Sequence, residues 1–240
     1  GALGGVPVEG VGFGAAANAE AILDMSNVFH LYDGGFLSKT FLGLAEADGS
    51  GNVNASKFGT KFTGPGGFID ISQNTKDVCF VGTFTAGGLK EEVRDGKLVI
   101  IEEGRQNKFI KNVQQITFSG EYANTAGQKV MYITERAVFK LTDAGLMLTE
   151  IAPGIDLEKD ILAHMEFKPI ISKEMIEDMK EYAINTFKVL DGNGVARIDF
   201  LINDKTKKIY VNEINTIPGS LSSYLWKAKK KNQTELFDDL

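Results

Sequence analysis

Two stretches near the C-terminal end of the chain alternate apolar and polar residues with period two. In 196–202, Ile198, Phe200 and Ile202 fall on one side and Arg197 and Asp199 on the other. The stretch 208–215 has the same period, so a hairpin turning near Lys205, Thr206 and Lys207 is predicted. That pairing sets Asp199 opposite Glu213 and Arg197 opposite Asn215, with Ile198, Phe200 and Ile214 on the buried face. Upstream, Ile176, Met179, Ala183, Phe187 and Leu190 recur every three or four residues, the mark of an amphipathic helix. Ser172 is its expected N-cap, and Asp191, Gly192, Asn193 and Gly194 its stop. Earlier in the chain, apolar and β-branched runs predict strands at 78–83, 97–102, 129–134 and 137–141. Glu135 and Arg136 are read as a hairpin turn that lacks the Asn-Gly or Asp-Gly signal. Helices are expected at 15–23, which is rich in alanine, and at 156–166.

The hairpin carries the sharpest chemistry. Like charges directly opposite in an antiparallel pair destabilise it by about 0.2 to 1 kcal/mol, so Asp199 facing Glu213 favours a cation between them. With Asn215 they form an oxygen-only donor set, two carboxylates and a carboxamide, which suits Mg²⁺ held together with phosphate oxygens. A surface hairpin with solvated acids is the plainer alternative.

The residues ARIDF, then VNEINTIPGS, preceded by the helix KEMIEDMKEYAINTFKVL, resemble the C-terminal end of a D-alanine-D-alanine ligase, an ATP-grasp enzyme. The resemblance implies Asp199, Glu213 and Asn215 as ligands of two Mg²⁺ ions, and Arg197 on the transferring phosphoryl group. It also implies the Gly219 backbone N–H near an acyl-phosphate oxyanion. Tyr224 departs from it, standing where many such ligases have a serine that contacts the second substrate, although Ser222 and Ser223 are adjacent. An ATP-grasp ligase also needs an earlier domain whose lysines and glutamate hold the nucleotide, and residues 1–171 do not read as one.

Those residues instead carry a second, collinear set of motifs: GGVPVEGVGFGAAANAEAI, FHLYDGGFLSKTFLGLAEADGSGNVNASKFG, GPGGFIDISQNTKDVCFVGTFTAGGL, then QITFSGEYA and ITERAVFKLTDAGL. Together they resemble the C-terminal part of a family I CoA-transferase of the acetate, propionate or acetoacetate type. The resemblance implies ping-pong transfer of CoA from an acyl-CoA to a short-chain carboxylate. A glutamate attacks the thioester, an anhydride forms, and the CoA thiolate then gives an enzyme-CoA thioester. That glutamate is expected just before the GALGG turn, upstream of Gly1, and neither Glu9 nor Glu20 fits its place. Backbone N–H groups at Gly4 and Gly5, and at Gly66 and Gly67, are candidates to face the thioester oxyanion. A turn that needs positive φ is the commoner explanation of each of these glycines.

Composition narrows the remaining classes. Across 240 residues, 43% are hydrophobic and 24% charged, ordinary for a globular protein. A net charge of -6 argues against a nucleic-acid partner, and the absence of an apolar run near 20 residues argues against a membrane span. Lone Cys79, inside Val78-Cys79-Phe80-Val81, reads as a buried small hydrophobe in a reducing cytoplasm. Gly10-Val11-Gly12-Phe13-Gly14 lacks the Lys-Ser/Thr of a phosphate loop and reads as a turn. His30 and His164 have no metal-ligand spacing, and the lysines at 227 and 229–231 read as a solvated helix face.

The expected fold is α/β: an open-sheet, CoA-transferase-like partial domain at 1–171, then a truncated ATP-grasp helix and β-hairpin at 172–240. The join falls in 168–175, without a linker, and entry in mid-motif without an initiating Met suggests a fragment or a processed product. Few contacts are expected across the join. Three readings follow: a CoA-transferase fragment acting on acyl-CoA and a carboxylate, a fragment of an ATP- and Mg-dependent ligase, or a non-catalytic chimeric chain. A homo-oligomer is compatible with each.

Overall fold

The computed structural model describes residues 1–12, 14–171, 173–191, 196–202 and 209–215. Its centre is a six-stranded mixed sheet in the spatial order Ile170–Ile171, Gly145–Ile151, Ala137–Thr142, Lys129–Ile133, Asp77–Val81, Lys39–Gly43. The last three strands are mutually parallel, and Asp77–Val81 lies in the middle of them. Its residues Val78, Cys79 and Phe80 are all buried: Val78 and Phe80 enter the core, and Cys79 lies on the other face, beside the exposed Phe41 and Met131. The flanking hairpin strands Lys129–Ile133 and Ala137–Thr142 alternate buried and more exposed positions, as strands with one dominant core face do.

Three helices precede parallel strands or pack near them: α1 (Met25–Asp33), α2 (Phe68–Gln73) and α3 (Gly120–Thr125). The N-cap of α3 is Ser119, whose hydroxyl accepts from the Tyr122 N–H at 3.2 Å. Aromatic side chains fill the core. Phe80 stacks on Phe68 at 5.7 Å and meets Phe118 edge-on at 4.9 Å, while Phe109 lies 4.8 Å from Phe84 and 4.9 Å from Phe139. Each fully buried ring contributes roughly 1.5–3 kcal/mol of transfer free energy.

The expected strands at 78–83, 97–102, 129–134 and 137–141 are present with ends shifted by a residue or two. The alanine-rich stretch 15–23 is not a helix. It forms Ala16–Ala17, paired with Val6–Pro7, and Ala21–Ile22, paired with Ala2–Leu3, with Asn18 at φ 58° turning the chain between them. Helix propensity is a weak prior, and here the local ladders to the glycine-rich opening override it. At 156–166 a π-turn, Leu157–Ile161, and a 3₁₀ turn, Leu162–His164, replace the expected continuous helix.

Helix α4 (Lys173–Val189) and the antiparallel pair Arg197–Ile202 and Ile209–Asn215 follow. Arg197 lies opposite Asn215, Ile198 opposite Ile214 and Asp199 opposite Glu213, as the alternation predicts. A bulge after Asp199 then sets Phe200 opposite Val211. Ile209 belongs to the main apolar cluster, with Met179 and Phe200 packed on it, but α4 and the hairpin pack chiefly on each other, so contacts across the join are few, as expected. Ser172, Gly192, Asn193, Gly194, the 205–207 turn, Gly219, Tyr224 and the lysines at 227–231 lie outside the described residues.

Candidate functional site

Gly66 and Gly67 open α2, which runs back into the central strand, and so stand at the end of the sheet where the parallel strands finish, the edge at which open α/β sheets bind ligands; Gly4 and Gly5 turn the chain between two short ladders. Gly4 and Gly5 have φ of 69° and 77°. At Gly5 an added side-chain carbon would come 2.4 Å from the Ala17 carbonyl oxygen, so the turn itself demands glycine there. Gly66 is left-handed at φ 53°, whereas Gly67 is not and serves as the N-cap of α2. Helix α1 touches Gly67, where a side-chain carbon would lie 2.7 Å from Phe29 Cε1, and Gly1, where one would lie 3.1 Å from Val28 Cγ2, whereas Gly4 and Gly5 pack on residues 17–20. Among the described residues, the N–H groups of Gly4, Gly5, Gly66 and Gly67 have no protein acceptor. The turn requirement and an oxyanion-binding role are therefore compatible.

Beyond the ends of the same strands lies a charged cluster that the sequence does not reveal. Arg136, with 0% of its side chain exposed, donates from Nη1 to Glu103 Oε2 and from Nε to Glu135 Oε1, both at 2.7 Å. A further bond from Nη1 reaches the Asp160 carbonyl at 2.9 Å, and the guanidinium lies 4.9 Å from the centre of the Phe84 ring. Burial pushes the Glu103 carboxyl up, but hydrogen bonds from Arg136, Thr85 and the Gly104 N–H, with the Arg136 charge, outweigh it and hold Glu103 at about 2. His164 Nε2 sits 3.4 Å from the same carboxylate. Glu135 Oε2 is taken by the Phe84 N–H at 2.8 Å. Lys108 is 7% exposed, and burial pushes its ammonium down while the Glu135 charge partly opposes this. The sequence presents Glu135-Arg136 only as a turn, because Glu103, the partner that makes Arg136 a core residue, is 33 residues away.

Cys79 is buried as expected, and burial pushes its thiol up, leaving it a poor nucleophile. A cleft of about 440 Å³ bordered by Asn52, Ser119, Asn124 and Asp143 lies by the 142–145 turn, at the end of the sheet where the parallel strands begin.

In the C-terminal hairpin, the bidentate partner of Asp199 is Arg197, whose Nε and Nη2 each donate to one carboxylate oxygen at 3.1 Å. Each oxygen keeps a second lone pair, and Glu213 faces Asp199 across the ladder with Asn215 two residues on. The donor types and the shared face fit a hard divalent cation that also takes phosphate oxygens. Among the described residues no cluster of three His, Cys, Asp or Glu side chains is arranged to hold a metal unaided. No described helix is long and apolar enough to cross a membrane.

Comparison with known proteins divides the chain in the same way. Its N-terminal ~175 residues are similar to acetate CoA-transferase YdiF of Escherichia coli K12, 54% identical over 175 residues, 73% of this chain and 33% of the relative. The solved acyl-CoA transferase YdiF of E. coli O157:H7, a thioester complex with CoA, matches with TM-score 0.67 and 53% identity, over 71% of this chain and 32% of that one. The C-terminal part is similar to the D-alanine–D-alanine ligase of Ruminiclostridium cellulolyticum, 45% identical over 76 residues, 30% of this chain and 20% of the ligase. The family described as D-ala D-ala ligase C-terminus matches residues 156–240, starting upstream of the join expected at 168–175. The chain thus joins a segment resembling a CoA-transferase to one resembling a ligase C-terminus. It spans about a third of the CoA-transferase and a fifth of the ligase.

Proposed function

We propose that residues 1–171 are the thioester-binding part of a short-chain CoA-transferase, and that residues 172–240 are a truncated ATP-grasp helix and hairpin that takes no part in that reaction. The observation carrying this reading is the set of unspent N–H groups in the two glycine turns, Gly4-Gly5 and Gly66-Gly67. A glutamate carboxylate preceding Gly1 attacks the acyl-CoA carbonyl carbon, and charge gathers on the carbonyl oxygen. The N–H groups of Gly66 and Gly67, with Gly4 and Gly5, receive that oxyanion. The C–S bond breaks to give an anhydride and CoA thiolate. The thiolate then attacks the glutamyl carbonyl, releasing the carboxylate and leaving CoA on the enzyme as a thioester. Loss of one oxyanion donor costs about 10²–10³ in rate in comparable sites.

The test is a hybrid in which this chain follows, in frame, the N-terminal two-thirds of the E. coli relative. Intact-mass spectrometry after exposure to acetyl-CoA is expected to show covalently attached CoA, discharged by acetate. A folded hybrid that acquires no CoA contradicts the reading.

The register of Asp199 against Glu213 supports a second, separate reading for the hairpin. Asp199, Glu213 and Asn215 would hold Mg²⁺, which supplies neutralisation of phosphate charge, while Arg197 orients a phosphoryl oxygen. Without nucleotide, Mg²⁺ is expected to leave the Asp199 and Glu213 carboxylate NMR signals unshifted up to millimolar concentration. A saturable shift by Mg²⁺ alone would contradict the requirement for phosphate.

A further inference from the structure

Lys108 is a buried lysine whose ammonium has no hydrogen-bonded partner among the described residues. Its side chain is more than nine-tenths covered, yet among the described residues its ammonium makes no hydrogen bond or ion pair. The nearest opposite charge is Glu135, and that carboxylate is committed elsewhere: Oε1 accepts from Arg136 and Oε2 from the Phe84 N–H. A buried charge left without such a partner is strongly disfavoured, so an ammonium unpaired here is satisfied by an anion that comes and goes.

The position of the ammonium points the same way. Lys108 Nζ lies 2.9 Å from where a side chain on Gly82 would begin, and Gly82 directly follows the central parallel strand Asp77–Val81. The ammonium therefore stands at the strand end, packed over Gly82, whose missing side chain makes room for it there. Its backbone is held on both sides. The Lys108 carbonyl accepts from the Ala47 N–H at 2.8 Å, and neighbouring Phe109, fully buried, bridges to Ala47 and to Met165. A cation fixed this way loses little entropy when it meets a ligand.

Resting on the acyl-transfer reading above, we infer that Lys108 is the cation that receives the carboxylate of the acyl acceptor. Its charge orients the incoming anion at the ends of the parallel strands, and the bound carboxylate supplies the partner that the fold withholds. The lowered ammonium titration is what such an unpaired site should show, and binding of a carboxylate restores it toward the ordinary lysine value.

The test uses the 240-residue chain with labelled lysines, following the Lys108 side-chain NMR signals while acetate replaces chloride at constant ionic strength. A saturable shift of Lys108, absent with acetamide, is expected, together with a rise in its titration midpoint. No shift, or the same shift with chloride, overturns the inference. In the hybrid described above, K108M should raise the acetate KM about tenfold or more while CoA attachment from acetyl-CoA persists; an unchanged KM also overturns it. Because the NMR measurement needs neither a variant nor turnover, the two readings fail separately. CoA attachment with a silent Lys108 sinks this inference alone, and a responsive Lys108 without CoA attachment sinks the acyl-transfer reading.

Discussion

Arg136 and Glu103, 33 residues apart in the chain, meet through two hydrogen bonds of 2.7 and 3.1 Å, with the arginine side chain wholly buried. The pair ties the end of the Lys97–Glu102 strand to the 134–137 turn, and Arg136 extends the tie to the Asp160 carbonyl. Arg136→Met leaves Glu103 and Glu135 partly buried without their cation. Chemical denaturation should show a loss of about 3–5 kcal/mol, and a loss below 1 kcal/mol would mean that the carboxylates find water or other donors.

The same pair fixes an acid limit. Glu103 is depressed to about 2 in the folded chain, against roughly 4.3 for an unperturbed glutamate, so between those values the unfolded chain binds more protons. The stabilisation is complete above the unfolded value and is lost as pH falls through the folded one. Glu103→Gln should flatten stability against pH between about 4.5 and 2, and a variant that keeps the wild-type slope would place the acid sensitivity elsewhere.

Gly51 sits at φ 82°, where an added side-chain carbon would come 2.4 Å from Leu141 Cδ1 and 3.0 Å from the Tyr132 hydroxyl. That hydroxyl donates to the Gly51 carbonyl, so the turn and the core strand are locked together. Gly51→Ala combines left-handed strain with overpacking and should cost about 2–4 kcal/mol in urea denaturation. A near-neutral result would show that the 48–52 turn can shift.

A domain boundary after Ile171 predicts that residues 1–171 fold alone, since the central sheet ends with the Ile170–Ile171 strand. Removal of the rest uncovers the partners of Met179, Phe200 and Ile209, so a modest fall in Tm is expected with near-UV dichroism retained. Loss of that dichroism would show the two parts to be one cooperative unit.

Much of this was legible in the sequence wherever the signal is local. Period-two alternation gave the pairing of Asp199 with Glu213 and Arg197 with Asn215, and the apolar run around Cys79 gave the central strand. The bulge after Asp199 left no such mark, because one unpaired residue does not change composition. The alanine-rich 15–23 stretch misled because tertiary ladders and a left-handed Asn18 decide it, not propensity. Arg136 and Lys108 were invisible as core residues for the same reason: their environment comes from segments distant in sequence, and one charged side chain among polar neighbours reads as surface.

The most direct test of the acyl-transfer account is isotope exchange between acetyl-CoA and labelled acetate, catalysed by the hybrid that carries this chain. The account predicts label in acetyl-CoA and a fall of about 10²-fold or more when Gly67 is replaced by alanine, as the side chain meets Phe29 and displaces the turn. A folded hybrid without exchange, or one whose exchange is indifferent to Gly67, would contradict it.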